Sequence, residues 1–265
     1  MPVFRAADTV SAVFTVSLKT LLLLYFLLQS AVAEPLMVAF GLSRPPYVDE
    51  QTGDGISPAL FKEVANRLGW QFDMTYVSNG RMEKLLLSGN VDIAVEMPPG
   101  HLGLYYSKPF VAYHNFAIHR DNPGFTLSNI DELQGYSICA WQQASQHLGN
   151  AQQMSLKKDY FEYAVQKQQV ADWVSGKCDV ILIDDALLEW HLKSFSFAWG
   201  EGQLGLNRKR WGKVLLPVTN NPLWFYVGFR EQKLRDDFDT VFDELVAKGE
   251  YERVRTHYIN TLRTN

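Results

Sequence analysis

Two nine-residue stretches of the chain share one plan. Leu87-Ser88-Gly89-Asn90-Val91-Asp92-Ile93-Ala94-Val95 and Val174-Ser175-Gly176-Lys177-Cys178-Asp179-Val180-Ile181-Leu182 each pass from the end of a helical pattern into an apolar run. Between the two lie a glycine, a polar residue, an apolar residue and an aspartate. A glycine directly after an amphipathic stretch is a common left-handed stop for a helix. A short apolar run beyond it reads as a strand covered on both faces. Any single helix-to-strand joint could look like this, but two copies in one chain point to two α/β units built alike.

The surroundings of each copy extend the pattern. Residues 36–40 form a buried strand, and 58–68 form a helix with Leu60, Phe61, Val64, Ala65 and Leu68 on one face. Ser57 is read as the N-cap of that helix, with Pro58 at its first position and Gly69 closing it. A strand at 72–77, a helix at 81–88 and a strand at 91–95 follow, and this alternation implies a parallel sheet flanked by helices. Around the second copy, 136–141 is a strand, 165–175 a helix and 179–184 a strand. Residues 115–119 read as a connecting strand, 121–124 as a turn, and Ser128 as the cap of a short helix. Residues 194–212 lack a period and read as a long loop. A strand at 225–229 precedes an amphipathic helix at 232–247 and a last helix to about residue 259. The fold class expected is α/β and two-lobed, each lobe a mostly parallel sheet flanked by helices.

The first 33 residues stand apart from this plan. Arg5 and Lys19 precede the apolar run Leu21 to Leu28, and Ala31-Val32-Ala33 ends it as a small-x-small cleavage signal. This is the pattern of a secretory signal peptide; the alternative, an uncleaved membrane anchor, is opposed by an apolar core too short to span ~30 Å of hydrocarbon. We therefore expect a mature chain from Glu34, exported to the periplasm, with 232 of the 265 residues and a net charge of about −5. A mildly acidic chain without a long basic run argues against nucleic acid as a partner. Export permits a disulfide between Cys139 and Cys178, although buried free cysteines beside strands are also common.

With the plan in place, a set of short signatures becomes meaningful. Pro45-Pro46-Tyr47 follows the first strand, and Gly55-Ile56-Ser57-Pro58 leads into the first helix. Then come Ser88-Gly89-Asn90-Val91-Asp92, Tyr106-Ser107-Lys108-Pro109-Phe110, Leu133-Gln134-Gly135, Gly176-Lys177-Cys178-Asp179 and Phe229-Arg230. In this order and spacing, over residues 36–259, the chain resembles the extracellular solute-binding proteins of the polar amino-acid class (family 3), which have the type II periplasmic binding fold. The resemblance implies lobe one from residues 34–113 plus 223–265, lobe two from 114–222, and a hinge near Tyr113 and Asn221.

In such sheets a cleft ligand sits beyond the carboxyl ends of the strands. Strand ends alone select Ser43, Arg44 and Tyr47 after the first strand, Asn79 and Arg81 after the second, and Glu96 and Met97 after the third, with His101 further on. In the second unit they select Trp141, Gln142, Ser145 and Gln146, then Asp184 with Asp185. The resemblance adds roles. Asp184 falls where the family receives a ligand ammonium, and Ser145 where a helix start can hold an anion. Arg44 and Asn79 stand where amino-acid binders carry aromatic residues. The family's carboxylate-binding Arg after the third strand is missing, and Glu96 stands near its place. The cleft therefore reads as suited to an amino-acid-like, cationic or zwitterionic ligand, with Arg44 or Arg81 as the alternative cation.

The sequence offers no catalytic constellation, metal-ligand spacing or cofactor motif. Some exported relatives of this fold are dehydratases with a catalytic acid three residues after the Asp184 position, but Leu187 stands there and cannot donate a proton. Glu189-Trp190-His191 lacks a partner, with His191 expected on the outer part of a helix. The expected function is capture of a small molecule by a monomer serving an ABC-type uptake system. The alternative is a sensory or interaction partner of a membrane receptor, for which residues 195–211 would be a contact surface.

Overall fold

The structure is a computed structural model that describes residues 34–120, 130–148, 159–199, 211–215 and 222–264. The leader, the turn at 121–124, Ser128, Asn221 and most of the 195–211 segment lie outside the described residues. In chain order the elements are β1 (Leu36–Gly41), α1 (Ile56–Leu68), β2 (Phe72–Val77), α2 (Asn79–Ser88), β3 (Ile93–Met97), β4 (Tyr105–Tyr106), β5 (Val111–Tyr113) and β6 (Asn115–Arg120). A 3-10 helix (Ile130–Gly135) leads to β7 (Ile138–Trp141), the one-turn α3 (Ala144–His147), β8 (Tyr160–Tyr163), α4 (Gln166–Ser175), β9 (Val180–Asp184) and α5 (Asp185–Trp199). β10 (Trp211–Leu215), β11 (Leu223–Phe229), α6 (Gln232–Ala247) and α7 (Glu250–Thr264) complete the chain.

Two sheets result. The first has the order β2-β1-β3-β11-β4, with β5 also on β11, and the second has the order β10-β6-β9-β7-β8. β1 pairs in parallel with β2 and β3, and β7 in parallel with β8 and β9. The strands next to the crossings, β6 and β11, run antiparallel to their neighbours. Only one residue, His114, separates β5 in the first sheet from β6 in the second.

Period-two alternation puts different side chains on the two faces of each sheet. In the first sheet Val38, Phe40, Ile93 and Val95 face α1 and α6, where Phe61, Phe238 and Phe242 pack, while Ala39, Ala94 and Met97 face Met82 and Leu86 of α2. In the second sheet Ile181 and Ile183 share the larger core with Val170 and Trp173 of α4. Val180 and Leu182 face Leu133, Ala144 and Leu148. The buried Gln169 ties α4 to its sheet by donating from Nε2 to the carbonyls of Cys139 and Leu182, at 3.1 and 2.9 Å.

The repeated joint has the same geometry in both copies. Gly89 and Gly176 are left-handed C-caps at φ 79° and 91°, a conformation that costs a residue with a Cβ. Three residues past each cap, the aspartate forms a reciprocal pair with the start of the neighbouring strand. The Asp92 N–H donates to the carbonyl of Met37 (2.8 Å) while Asp92 Oδ2 accepts from the Met37 N–H (2.9 Å). Asp179 does the same with Ser137, at 3.0 Å in both directions.

Several expectations change. Ser57 is inside α1, whose N-cap is Gly55 without a side-chain cap bond, because the Ser57 hydroxyl is turned to donate to buried Glu96. The third strand begins two residues later than read, so Glu96 and Met97 belong to it. Residues 194–199 continue α5, and 211–215 form β10, paired antiparallel with β6. No pattern in the sequence announces β8. Cys139 and Cys178 are joined as a disulfide, next to the β7–β9 pairing. Among the described residues, no helix is long and apolar enough to cross a membrane.

Candidate functional site

The carboxyl ends of β1 and β2 face those of β7 and β8 across a cleft of about 490 Å³, within the range of small-molecule sites. From the first sheet's side it is lined by Ser43, Arg44, Asp49, Glu50 and Asn79. From the other side come Trp141, Gln142, Tyr163, Gln166, Lys167, Trp190 and His191. A recess of about 50 Å³ leads inward between Arg44, Tyr113, Asn115, Trp141, Asp184 and Phe225, with room for a few water molecules. A larger depression of about 580 Å³ is lined by Gly249 and α7 residues and shares none of them with the cleft or the recess.

Arg44 forms the wall between cleft and recess. Its Nε donates to Glu96 Oε2 and to the Tyr113 hydroxyl, each at 3.1 Å; Nη1 donates to Asn79 Oδ1 at 3.1 Å, and Nη2 makes a close ion pair with Glu96. Burial opposes the charge, but Tyr113 and Glu96 beside it outweigh that and hold the guanidinium protonated above its usual range. Glu96 is 2% exposed. It lies at a β-bulge, since β11 advances one residue from Tyr226 to Val227 while β3 passes from Met97 to Val95. Its backbone has φ 69°, unusual for a residue with a side chain, and bulges of this kind re-aim a side chain. The carboxylate also accepts from the Ser57 and Tyr113 hydroxyls, the latter at 2.7 Å.

Asp184 closes the bottom of the recess with its carboxylate already engaged. Oδ1 accepts from the N–H groups of Ala186 and Leu187 at the start of α5, at 3.0 and 3.1 Å. Oδ2 accepts from the Tyr47 hydroxyl (3.0 Å) and the His114 N–H (2.8 Å). Burial, with Asp185 adding to it, pushes this carboxyl up to about 7; the donors at Leu187, His114 and Tyr47 pull against that without cancelling it. Tyr47 lies behind the recess, 1% exposed, with its ring centroid 4.0 Å from that of Tyr113. Its bond to Asp184 runs from the loop after β1 to the end of β9 in the other sheet.

The structure therefore gathers Arg44, Asn79, Trp141, Gln142 and Asp184 along cleft and recess. Glu96 is one layer behind, covered by Arg44, and Tyr47 is behind Asp184. Met97 packs in the core with Met82 and Leu86. Arg81 is exposed and lines neither cavity. His101 pairs with Glu83 at 3.2 Å. At Ser145, the helix start that was expected to hold an anion holds the chain's own Glu162, which accepts from the N–H groups of Gln143 and Ser145 at 2.9 and 3.0 Å.

Gln166, Lys167, Trp190 and His191 were missed. The first two follow β8, so the strand-end rule would have found them had Tyr160–Tyr163 been recognised as a strand. His191 is 5% exposed, not on the outer part of α5. Among the described residues neither of its ring nitrogens has a hydrogen-bond partner, and burial, with Lys167 nearby, pushes it down to about 4. Among the described residues there is no cluster of His, Cys, Asp and Glu able to hold a metal ion.

No family model and no curated protein sequence matches the chain. Solved structures do. The ligand-binding core of GluR0 in complex with L-glutamate superposes with a TM-score of 0.67 at 13% identity, over 86% of this chain and all of that one (100%). A histidine kinase sensor domain described as similar to periplasmic binding proteins gives 0.65 at 16%, over 85% and 96%. The arginine-, lysine-, histidine-binding protein ArtJ of Geobacillus stearothermophilus gives 0.64 at 14%, over 87% and 100%. Likeness at such identities is a likeness of architecture, and it agrees with the two-sheet topology: the chain has the two-lobed fold of periplasmic binding proteins.

Proposed function

We propose that the chain is an exported solute-binding protein that holds a small polar molecule in its interlobe cleft for an ABC-type uptake system, without transforming it. In this reading lobe one is 34–113 plus 223–265, lobe two is 114–222, and the leader directs the chain to the periplasm. The observation that carries the reading is the cleft itself. About 490 Å³ opens between the strand ends of two sheets, with Trp141 and Trp190 on one wall and Asn79, Gln142 and Gln166 offering amide groups. Leu187, buried at the recess, supports a binder over an acid catalyst. A sensory role remains the second reading, favoured by one observation: Asp184 and the α3 start are already bonded within the chain.

The test is a thermal-shift screen of the purified protein against amino acids, polyamines, dicarboxylates, quaternary amines and short peptides. A ligand at about 100 times its dissociation constant adds about 2.7 kcal/mol, or roughly 5–10 °C for a chain of this size. We expect one chemical class to give such a shift. A folded protein indifferent to the whole panel would overturn capture and leave the receptor-partner reading.

A further inference from the structure

We propose that Arg44 is a tethered occupant of the cleft: its guanidinium fills a receptacle that would otherwise take a small planar cation, and the wild-type site therefore turns free cationic ligands away. The inference deepens the reading above and rests on it for its consequence for specificity.

The receptacle is built without Arg44. The bulge aims Glu96 inward, and two hydroxyls, Ser57 and Tyr113, hold its carboxylate in place. Asn79 supplies a further acceptor from the start of α2. The floor is the backbone of Gly41, where a Cβ would lie only 2.9 Å from Arg44 Cζ and closer still to Nη2, so the guanidinium rests directly against the chain. A planar group with N–H donors along its edges matches acceptors so arranged, whereas an ammonium is a point charge with no flat face. A carboxylate 2% exposed demands a positive partner, and the chain provides one from within.

The tether is short and fixed. Arg44 lies three residues past β1, with its N–H on the carbonyl of Val48 (2.8 Å) and its own carbonyl accepting from Tyr47 (3.0 Å). An intramolecular partner on even a flexible linker has an effective concentration of about millimolar, and a pinned one exceeds that. Free arginine or agmatine at lower concentrations cannot displace it. What remains open to a ligand is a neutralised pair.

The experiment titrates methylguanidinium, methylammonium and the neutral N-methylurea, each to about 10 mM, well above the millimolar reach of a flexible tether. The full chain is used as wild type, Glu96→Gln, Arg44→Ala and Arg44→Ala/Glu96→Gln, read by thermal shift and calorimetry. We expect no saturable response from wild type. R44A should show a saturable 1:1 response to methylguanidinium, a weaker one to methylammonium and none to N-methylurea. The double variant should show none. Saturable 1:1 binding of a guanidinium compound by wild type that is lost in E96Q would overturn the proposal, as would a folded R44A indifferent to methylguanidinium. If R44A does not stay folded, refolding yield replaces thermal shift: rescue by methylguanidinium but not by N-methylurea supports the proposal, and equal yields overturn it. The two readings fail separately. A panel hit without R44A rescue overturns only this one, and rescue with a silent panel overturns only ligand capture.

Discussion

Asp184 and His191 are both buried, and their titrations oppose each other over the same pH range. Asp184 rises from 3.8 to about 7 on folding. Its contribution to stability is thus fully present below pH 3.8 and is lost as pH climbs through 7, which at about 1.4 kcal/mol per pH unit amounts to about 4 kcal/mol. His191 falls from 6.5 to about 4. Its contribution is present above pH 6.5 and is lost as pH drops through 4, about 3 kcal/mol on the same scale. Between pH 4 and 6.5 the two nearly cancel in the wild type. Asp184→Asn should unmask the rise due to His191, and His191→Phe the fall due to Asp184. At about 2–4 °C per kcal/mol for a chain of this size, each variant should diverge from the wild-type slope by roughly 6–15 °C, in opposite directions. The assay is Tm by circular dichroism from pH 4 to 7 at constant ionic strength. Because every other titrating group is shared, only differences between curves count. Curves for wild type, D184N and H191F that run parallel would refute the reasoning, whatever their absolute heights.

Two further outcomes follow from the same kind of argument. Glu96→Gln leaves the Arg44 charge buried without its partner, at a cost of about 3–5 kcal/mol; Tm should fall by roughly 6–20 °C, and most of it should return in the Arg44→Gln/Glu96→Gln double variant. Reducing the Cys139–Cys178 disulfide, which spans 39 residues, should cost about 4 kcal/mol by loop-closure entropy, seen as a lower urea midpoint in dithiothreitol that is absent for the double serine variant.

What could be read from the sequence was mostly local. The helix-Gly-polar-apolar-Asp joint gave away two α/β units because glycine, with no Cβ, and a strand-flanking aspartate leave fixed marks within a few residues. The helix at 232–247 matched α6 end to end, since its apolar period is long and clear. β8 escaped because Tyr160–Tyr163 is short and largely exposed, so no apolar run announces it, and with it went Gln166 and Lys167. Strand ends found Arg44, Asn79, Trp141 and Asp184, because position along a strand fixes which end of the sheet a residue reaches. They could not show that Arg44 and Glu96, 52 residues apart, neutralise each other. Nor could they show that Asp184 would be taken up by Tyr47 from the other sheet. Those are tertiary partnerships, and they decide whether a charged residue near a cleft is open to a ligand or already engaged.

The topology also has a consequence for the order in which the chain can mature. The second sheet, β6 to β10, is drawn from one continuous stretch. In the first sheet β11, which arrives only after all of the second, is the strand on which β3, β4 and β5 pair, and α6 then packs against α1. A chain emerging amino-terminus first can complete its second sheet while the first is still an open half with β3 unpaired on one edge. Until the last forty or so residues have emerged, that edge is an invitation to mispairing. Loss of the carboxyl-terminal end would therefore injure the lobe that begins the chain, and leave the middle one standing.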